Sequence, residues 1–81
     1  MKQNPWGKNE GETPAKLQIV TDLGRSAQQE LDAISDYKER AKVARVAGDD
    51  ATVKIYEHIT AEEGQHFQEF TKRLRELGVE G

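Results

Sequence analysis

One short cluster, Gly48-Asp49-Asp50, constrains this chain more than any other. A glycine just past a helix end accepts the left-handed backbone that closes it, and an aspartate just before a helix start offers its carboxylate to free N–H groups. Stop and start follow with almost no loop between them, so the segments on either side must fold back on each other. Upstream, Ser26 to Ala47 contain neither Pro nor Gly, and Leu23, Ala27, Glu30, Ile34, Tyr37, Ala41 and Ala44 repeat at the 3,4 spacing of one helical face. Downstream, Tyr56, Ile59, Glu63, His66, Phe70, Leu74 and Leu77 form a second such face, which Gly78 ends. No segment alternates with the period of a strand. The reading is all-α, an antiparallel two-helix hairpin over residues 13–78.

The boundaries follow from local chemistry. Thr13 before Pro14 is a helix entry: the hydroxyl caps a free N–H, and proline is tolerated in the first turn. Gly24 interrupts the pattern and Ser26-Ala27-Gln28-Gln29 reads as a second capping box, so Pro14 to Leu23 either continues the first helix or forms a short one of its own. Residues 1–12, polar around the single Trp6, read as a flexible arm, and residues 79–81 as a short tail.

Burial is scarce in a chain of 81 residues with 33% charged side chains. Two helices packed together leave half of each apolar stripe exposed, and the usual remedy is a second hairpin, giving a four-helix bundle. A homodimer supplies it. Twelve basic and fifteen acidic residues are interspersed, giving a net charge of -3 without a basic patch, which argues against nucleic acid as a partner. Cysteine is absent, so any metal must take nitrogen and oxygen ligands. No apolar stretch suits a signal peptide or a membrane span, and the expected location is the cytoplasm.

Three polar residues interrupt the apolar faces. Glu30 lies between Ala27 and Ile34, while Glu63 and His66 lie between Ile59 and Phe70. A carboxylate taken from water needs a proton, an ion-pair partner or a bound cation, and neither stripe carries Lys or Arg. At ~1.5 Å per residue, Glu30 is roughly 27 Å from the turn, Glu63 roughly 22 Å and His66 roughly 27 Å, so the three meet at one height. Glu63-Gly64-Gln65-His66 is Glu-x-x-His, the i, i+3 spacing by which a helix offers a carboxylate and an imidazole to one metal. Doubled by a two-fold axis, the set has four carboxylates and two imidazoles, whose formal charge two divalent cations balance. Oxygen-rich ligation with one imidazole per metal suits iron or manganese, and iron is the first choice.

Glu30 with Tyr37 seven residues on, followed by Glu63-x-x-His66, resembles the ferritin-like and rubrerythrin-like di-iron pattern in its half-length form. The chain is most similar to the encapsulated ferritin family over residues 26–77, and the run Glu30 to Arg40 resembles that family's first helix closely. The resemblance implies a ferroxidase with a di-iron centre at a dimer interface, ligated by Glu30, Glu63 and His66. It further implies dimers arranged in a ring, held as cargo inside an encapsulin nanocompartment that stores the oxidised iron, with Tyr37 in reach of a ligand carboxylate. Where the family has further acids that form an iron-uptake route, this chain has Gln29 and the shorter Asp32. Its outer metal site of one His and two acids is matched by His58 and Glu62, with Gln65 replacing one acid. The family's C-terminal targeting extension has no counterpart before Gly81.

Blander readings stand beside these. Glu30 can be rotated to the edge of the stripe, Glu63 and His66 can be a hydrogen-bonded pair on a wet face, Tyr37 can be simple packing, His58 and Glu62 can be solvated, and Gly64, which can mark close approach of a neighbouring chain, can simply be tolerated. Two other functions compete with the ferroxidase: a metal-independent helical assembly module whose buried charges set register, and a peroxide-reducing rubrerythrin relative, although the Cys-rich electron-transfer domain is missing.

Overall fold

The computed structural model describes residues 13–79. Two helices, α1 (Pro14–Val46) and α2 (Asp50–Glu76), run antiparallel, and the described residues contain no strand. The arm over residues 1–12, with Trp6, lies outside the described residues, as do residues 80 and 81.

Each end of each helix is closed by the residue type the backbone requires. Lys16 N–H donates to Thr13 Oγ1 at 3.1 Å, and Pro14 occupies the first turn. Gly48 at φ 76° and Gly78 at φ 93° take the left-handed conformation after α1 and α2. Their flanking amides close the same pattern twice: Gly48 N–H reaches Arg45 O and Asp49 N–H reaches Ala44 O, then Gly78 N–H reaches Arg75 O and Val79 N–H reaches Leu74 O. Val79 therefore finishes α2 and is half-buried. Asp49 starts α2, accepting from Thr52 N–H at 3.1 Å and from the Thr52 hydroxyl at 2.6 Å.

Gly24 does not divide the first helix. The Ser26 hydroxyl donates back to Asp22 O at 2.8 Å, a bond available only inside a continuous helix, so the capping box expected at Ser26 is not formed. A glycine in a helix interior lacks only about 1 kcal/mol of propensity, which thirty-three consecutive helical residues absorb.

Packing follows a heptad on both helices. Along α1, Val20, Leu23, Ala27, Glu30, Ile34, Tyr37, Ala41 and Ala44 are buried or half-buried; along α2, Val53, Tyr56, Thr60, Glu63, Phe67, Phe70, Leu74 and Leu77 are. The first stripe matches the sequence pattern. The second differs: Val53, Thr60 and Phe67 join the seam, and His66 moves off it, with 52% of its side chain exposed. Among the described residues only Ala27, Ala41, Ala44 and Val53 are buried, and none completely, so no side chain larger than Val contributes the about 1.5–3 kcal/mol that full burial of a Leu or Phe provides.

Two flanks border the seam. On one, Arg40, Val43, Ala47, Thr52 and Tyr56 line a shallow groove. Counting by sevens from Thr52 and Arg40 places Ile59, His66 and Ile19 on this same side. On the other, Lys38, Lys42, Arg45 and Glu57 line a second groove, and Arg45 bridges to Glu57 at 3.1 Å. Counting by sevens again puts Leu31 and Gly64 there.

Glycine chemistry makes opposite predictions at two sites. A Cβ at Gly64 meets nothing within 4 Å, so Gly64→Ala raises the unfolding free energy by up to ~1 kcal/mol, whereas Gly48→Ala, forced to φ 76°, lowers it by ~1 kcal/mol, both read from urea melts. Asp49 sets an acid limb. The Thr52 hydroxyl, then the Thr52 N–H, hold its carboxyl below the ordinary 3.8, so its charged contribution is complete above pH 3.8 and is lost as pH falls through the lowered value. Asp49→Asn keeps a cap acceptor without the charge, so the stability gap to the native chain narrows below pH 3.8.

Candidate metal centre

The heptad that buries the seam also carries Glu30 and Glu63 into it. Each occupies a position that Leu23, Tyr37, Tyr56 and Phe70 fill with hydrocarbon or aromatic rings one heptad away, and the turn length brings the two to the same level. Their side chains are 18% and 21% exposed. His66, one turn beyond Glu63, leans in from the flank: its Nδ1 is 3.1 Å from Glu63 Oε1 and 3.7 Å from Glu30 Oε2. One ligand atom from each residue lies within 4.8 Å of the other two, the only group of three such side chains among the described residues.

The electrostatics show what holds this cluster together. Glu30 is pushed above its ordinary 4.5, chiefly by the hydrogen bond it shares with Glu63, then by burial and by the Glu63 charge; His66 opposes this. Glu63 is held below 4.5, chiefly by that same hydrogen bond and also by His66. The two carboxyls are thus pushed in opposite directions by their mutual proximity, Glu30 upward and Glu63 downward. His66 Nδ1 and Glu63 Oε1 are at hydrogen-bond distance, the imidazole tautomer setting which of them carries the proton. Glu30 Oε1 is left buried with no hydrogen-bond partner.

An unpartnered buried carboxylate oxygen beside two further donors is the condition a cation relieves. Two carboxylates and one imidazole, all converging on a single point, are a donor set that fits a divalent transition metal. All three come from one hairpin, two from α2 and one from α1, and lie at one level.

The remaining expected residues stand apart. Tyr37 stacks on Tyr56, ring centroids 5.8 Å apart at 25°, with the Arg40 guanidinium 5.7 Å from the Tyr37 ring. Among the described residues its hydroxyl makes no hydrogen bond to Glu30 or Glu63, so within one hairpin Tyr37 packs and does not orient a ligand. Asp32 is exposed and accepts from Gln28 Nε2 at 3.0 Å. His58 and Glu62 pair with each other at 3.3 Å, 74% and 55% exposed, outside the cluster. Sequence reasoning placed His66 in the seam; the missed signal is Phe67, the larger apolar residue four positions after Glu63.

Comparison with protein-family models, curated proteins and solved structures finds no match to this chain.

The facing carboxylates make a testable trade. Glu30→Gln removes the mutual repulsion while keeping the shape, so with chelator present at pH 7 the variant melts at or above the temperature of the native chain. A clear drop in melting temperature would instead mean that the Glu30 carboxylate supports the metal-free fold.

Proposed function

We propose that this hairpin is one half of a ferroxidase: two copies join to form a ferritin-like four-helix bundle, and Glu30, Glu63 and His66 from each copy bind two ferrous ions between them. The orphaned Glu30 Oε1, within reach of Glu63 and His66, is the observation that carries this reading. Ferrous iron is the substrate and would supply the redox chemistry: one electron from each of two ions, with two protons from solvent, reduces one dioxygen to hydrogen peroxide and leaves two ferric ions.

The chain's own part is binding. Glu63 is already an anion held in place by His66, so it gives an incoming cation its first contact. Glu30 offers its unpartnered Oε1 as a further ligand atom. His66 sits at the rim with half its ring exposed and offers an imidazole nitrogen to the same cation. Since each hairpin offers two carboxylates and one imidazole, iron binding favours the dimer. The resemblance to encapsulated ferritins extends the proposal to a ring of dimers housed in an encapsulin compartment, where the ferric product collects.

The metal-independent assembly module is the competing reading. In that reading Glu30 and Glu63 set helix register, and Glu30 Oε1 stays buried without a partner.

Anaerobic titration with ferrous iron, followed by native mass spectrometry, separates the two. The expected result is two iron ions per two chains, with the dimer fraction rising as iron binds. Glu63→Ala and His66→Ala weaken iron binding by more than the ~10–100-fold typical of losing a mere outer-shell partner. On admitting air, the native chain consumes dioxygen and Glu63→Ala does not; consumption of peroxide with dioxygen left untouched would favour the rubrerythrin-like chemistry. A native chain that binds no iron sinks the proposal.

A further inference from the structure

Two residues that close the seam near the turn are small. Ala41 and Thr60 occupy positions that Ile34 and Phe67 fill one heptad away, so the surface dips between the helices and leaves a groove of about 320 Å³. Lys38, Lys42 and Arg45 line it from α1, their aliphatic stems adding apolar wall, and Glu57 lines it from α2. The charge around it is lopsided. Three cations meet one carboxylate, and Arg45 already holds that carboxylate at 3.1 Å. Lys42 pairs with Glu39, which lies outside the groove, in a contact whose two side chains are 67% and 68% exposed and which another anion can replace at little cost. Lys38 makes no ion pair among the described residues.

An apolar floor inside a cationic rim suits an anionic segment that has an apolar side chain to bury. Other occupants fit less well. Residues 1–12 carry Lys2 and Lys8 against Glu10 and Glu12, so that arm has no excess of acid, and it joins α1 twenty-four residues, or about 36 Å, from Lys38. A nucleic acid would bring charge without an apolar side chain, and to a chain of net charge -3. The surroundings also favour acid on this flank alone. Counting by sevens from Lys38 and Glu57, the flank continues away from the turn through Leu31 and Gly24 on α1 and Gly64 and Thr71 on α2, none of them charged. On the opposite flank, Asp36 and Asp22 occupy the heptad position of Val43 and set carboxylates in the path of an acidic segment.

We propose that this groove is a docking site for an acidic segment of a partner protein, which seats one apolar side chain over Ala41 and Thr60 and sets carboxylates on either side of it against Lys38, Lys42 and Arg45. Lys38 is eight residues, about 12 Å, nearer the turn than Glu30, so the site is separate from the carboxylate cluster and its occupancy does not depend on iron. The apolar side chain supplies affinity and the cations choose which segment is accepted.

The probe is a fluorescein-labelled peptide, Asp-Glu-Asp-Leu-Glu-Asp-Glu, whose anisotropy is read against the full chain with chelator present at about 0.15 M salt. Saturable binding is expected. It weakens at least about tenfold when serine replaces the leucine of the peptide, and by a similar factor in Lys38→Glu. Lys72→Glu makes the same change of net charge at an exposed position on α2 outside the groove, and leaves binding unchanged. Lys38 and Lys72 are both exposed helical residues, so far-UV circular dichroism of the two variants matches the native chain. Absence of saturable binding overturns the proposal. Equal weakening by Lys38→Glu and Lys72→Glu does so too, since attraction is then general, as does equal affinity for the leucine and serine peptides, since the groove then has no part. If sedimentation shows that Lys38→Glu breaks up an oligomer of the native chain, the occupant is a second copy and the partner assigned here is wrong. Iron binding by Lys38→Glu stays at the native level, so this site and the metal centre stand or fall separately.

Discussion

Two carboxylates facing each other across a helical seam are what this hairpin has to accommodate. In an otherwise apolar stripe, Glu30 and Glu63 face each other beside one imidazole and still leave an oxygen unpartnered. A buried carboxylate oxygen without a partner costs free energy in the metal-free chain. The helix ends are fully capped, the turn is closed by paired amides, and the flanks carry ordinary exposed ion pairs of small individual value. Local chemistry elsewhere is consistent; the inconsistency is concentrated where a function is proposed.

The second feature is how little the hairpin covers by itself. Among the described residues, three alanines and one valine make up its buried set, while the larger apolar side chains of the seam remain half-exposed. In the proposed dimer, a neighbouring hairpin would both cover this small core and add a second set of ligands. Stability and chemistry then depend on one association event.

Much of this was legible in the residues, for definite reasons. Gly48, Asp49, Thr13 and Gly78 act through local backbone geometry, so their roles can be read without knowing the fold. The convergence of Glu30, Glu63 and His66 follows from the fixed rise of a helix measured from a short turn. Two features were not legible. Gly24 and Ser26 look like a boundary, yet packing along the whole of α2 keeps α1 continuous, and no local rule contains that tertiary contribution. The rotation of α2 was misplaced by one position at His66, because Ile59 and His66 also lie 3 or 4 residues from their neighbours; only the facing stripe of α1 decides between Phe67 and His66. Tyr37 illustrates the same limit, since its partner in the seam proved to be Tyr56 and not a carboxylate.

The three-residue connection between the helices has an evolutionary corollary. Surface turns are normally where chains gain and lose residues most freely. Here a single insertion after Gly48 would advance α2 by about 1.5 Å and swing it through about 100°, turning Glu63 away from Glu30 while each helix stayed intact. Length variation among descendants of this chain should therefore accumulate at the outer termini, and the tightest bend in the molecule should be the part that tolerates it least.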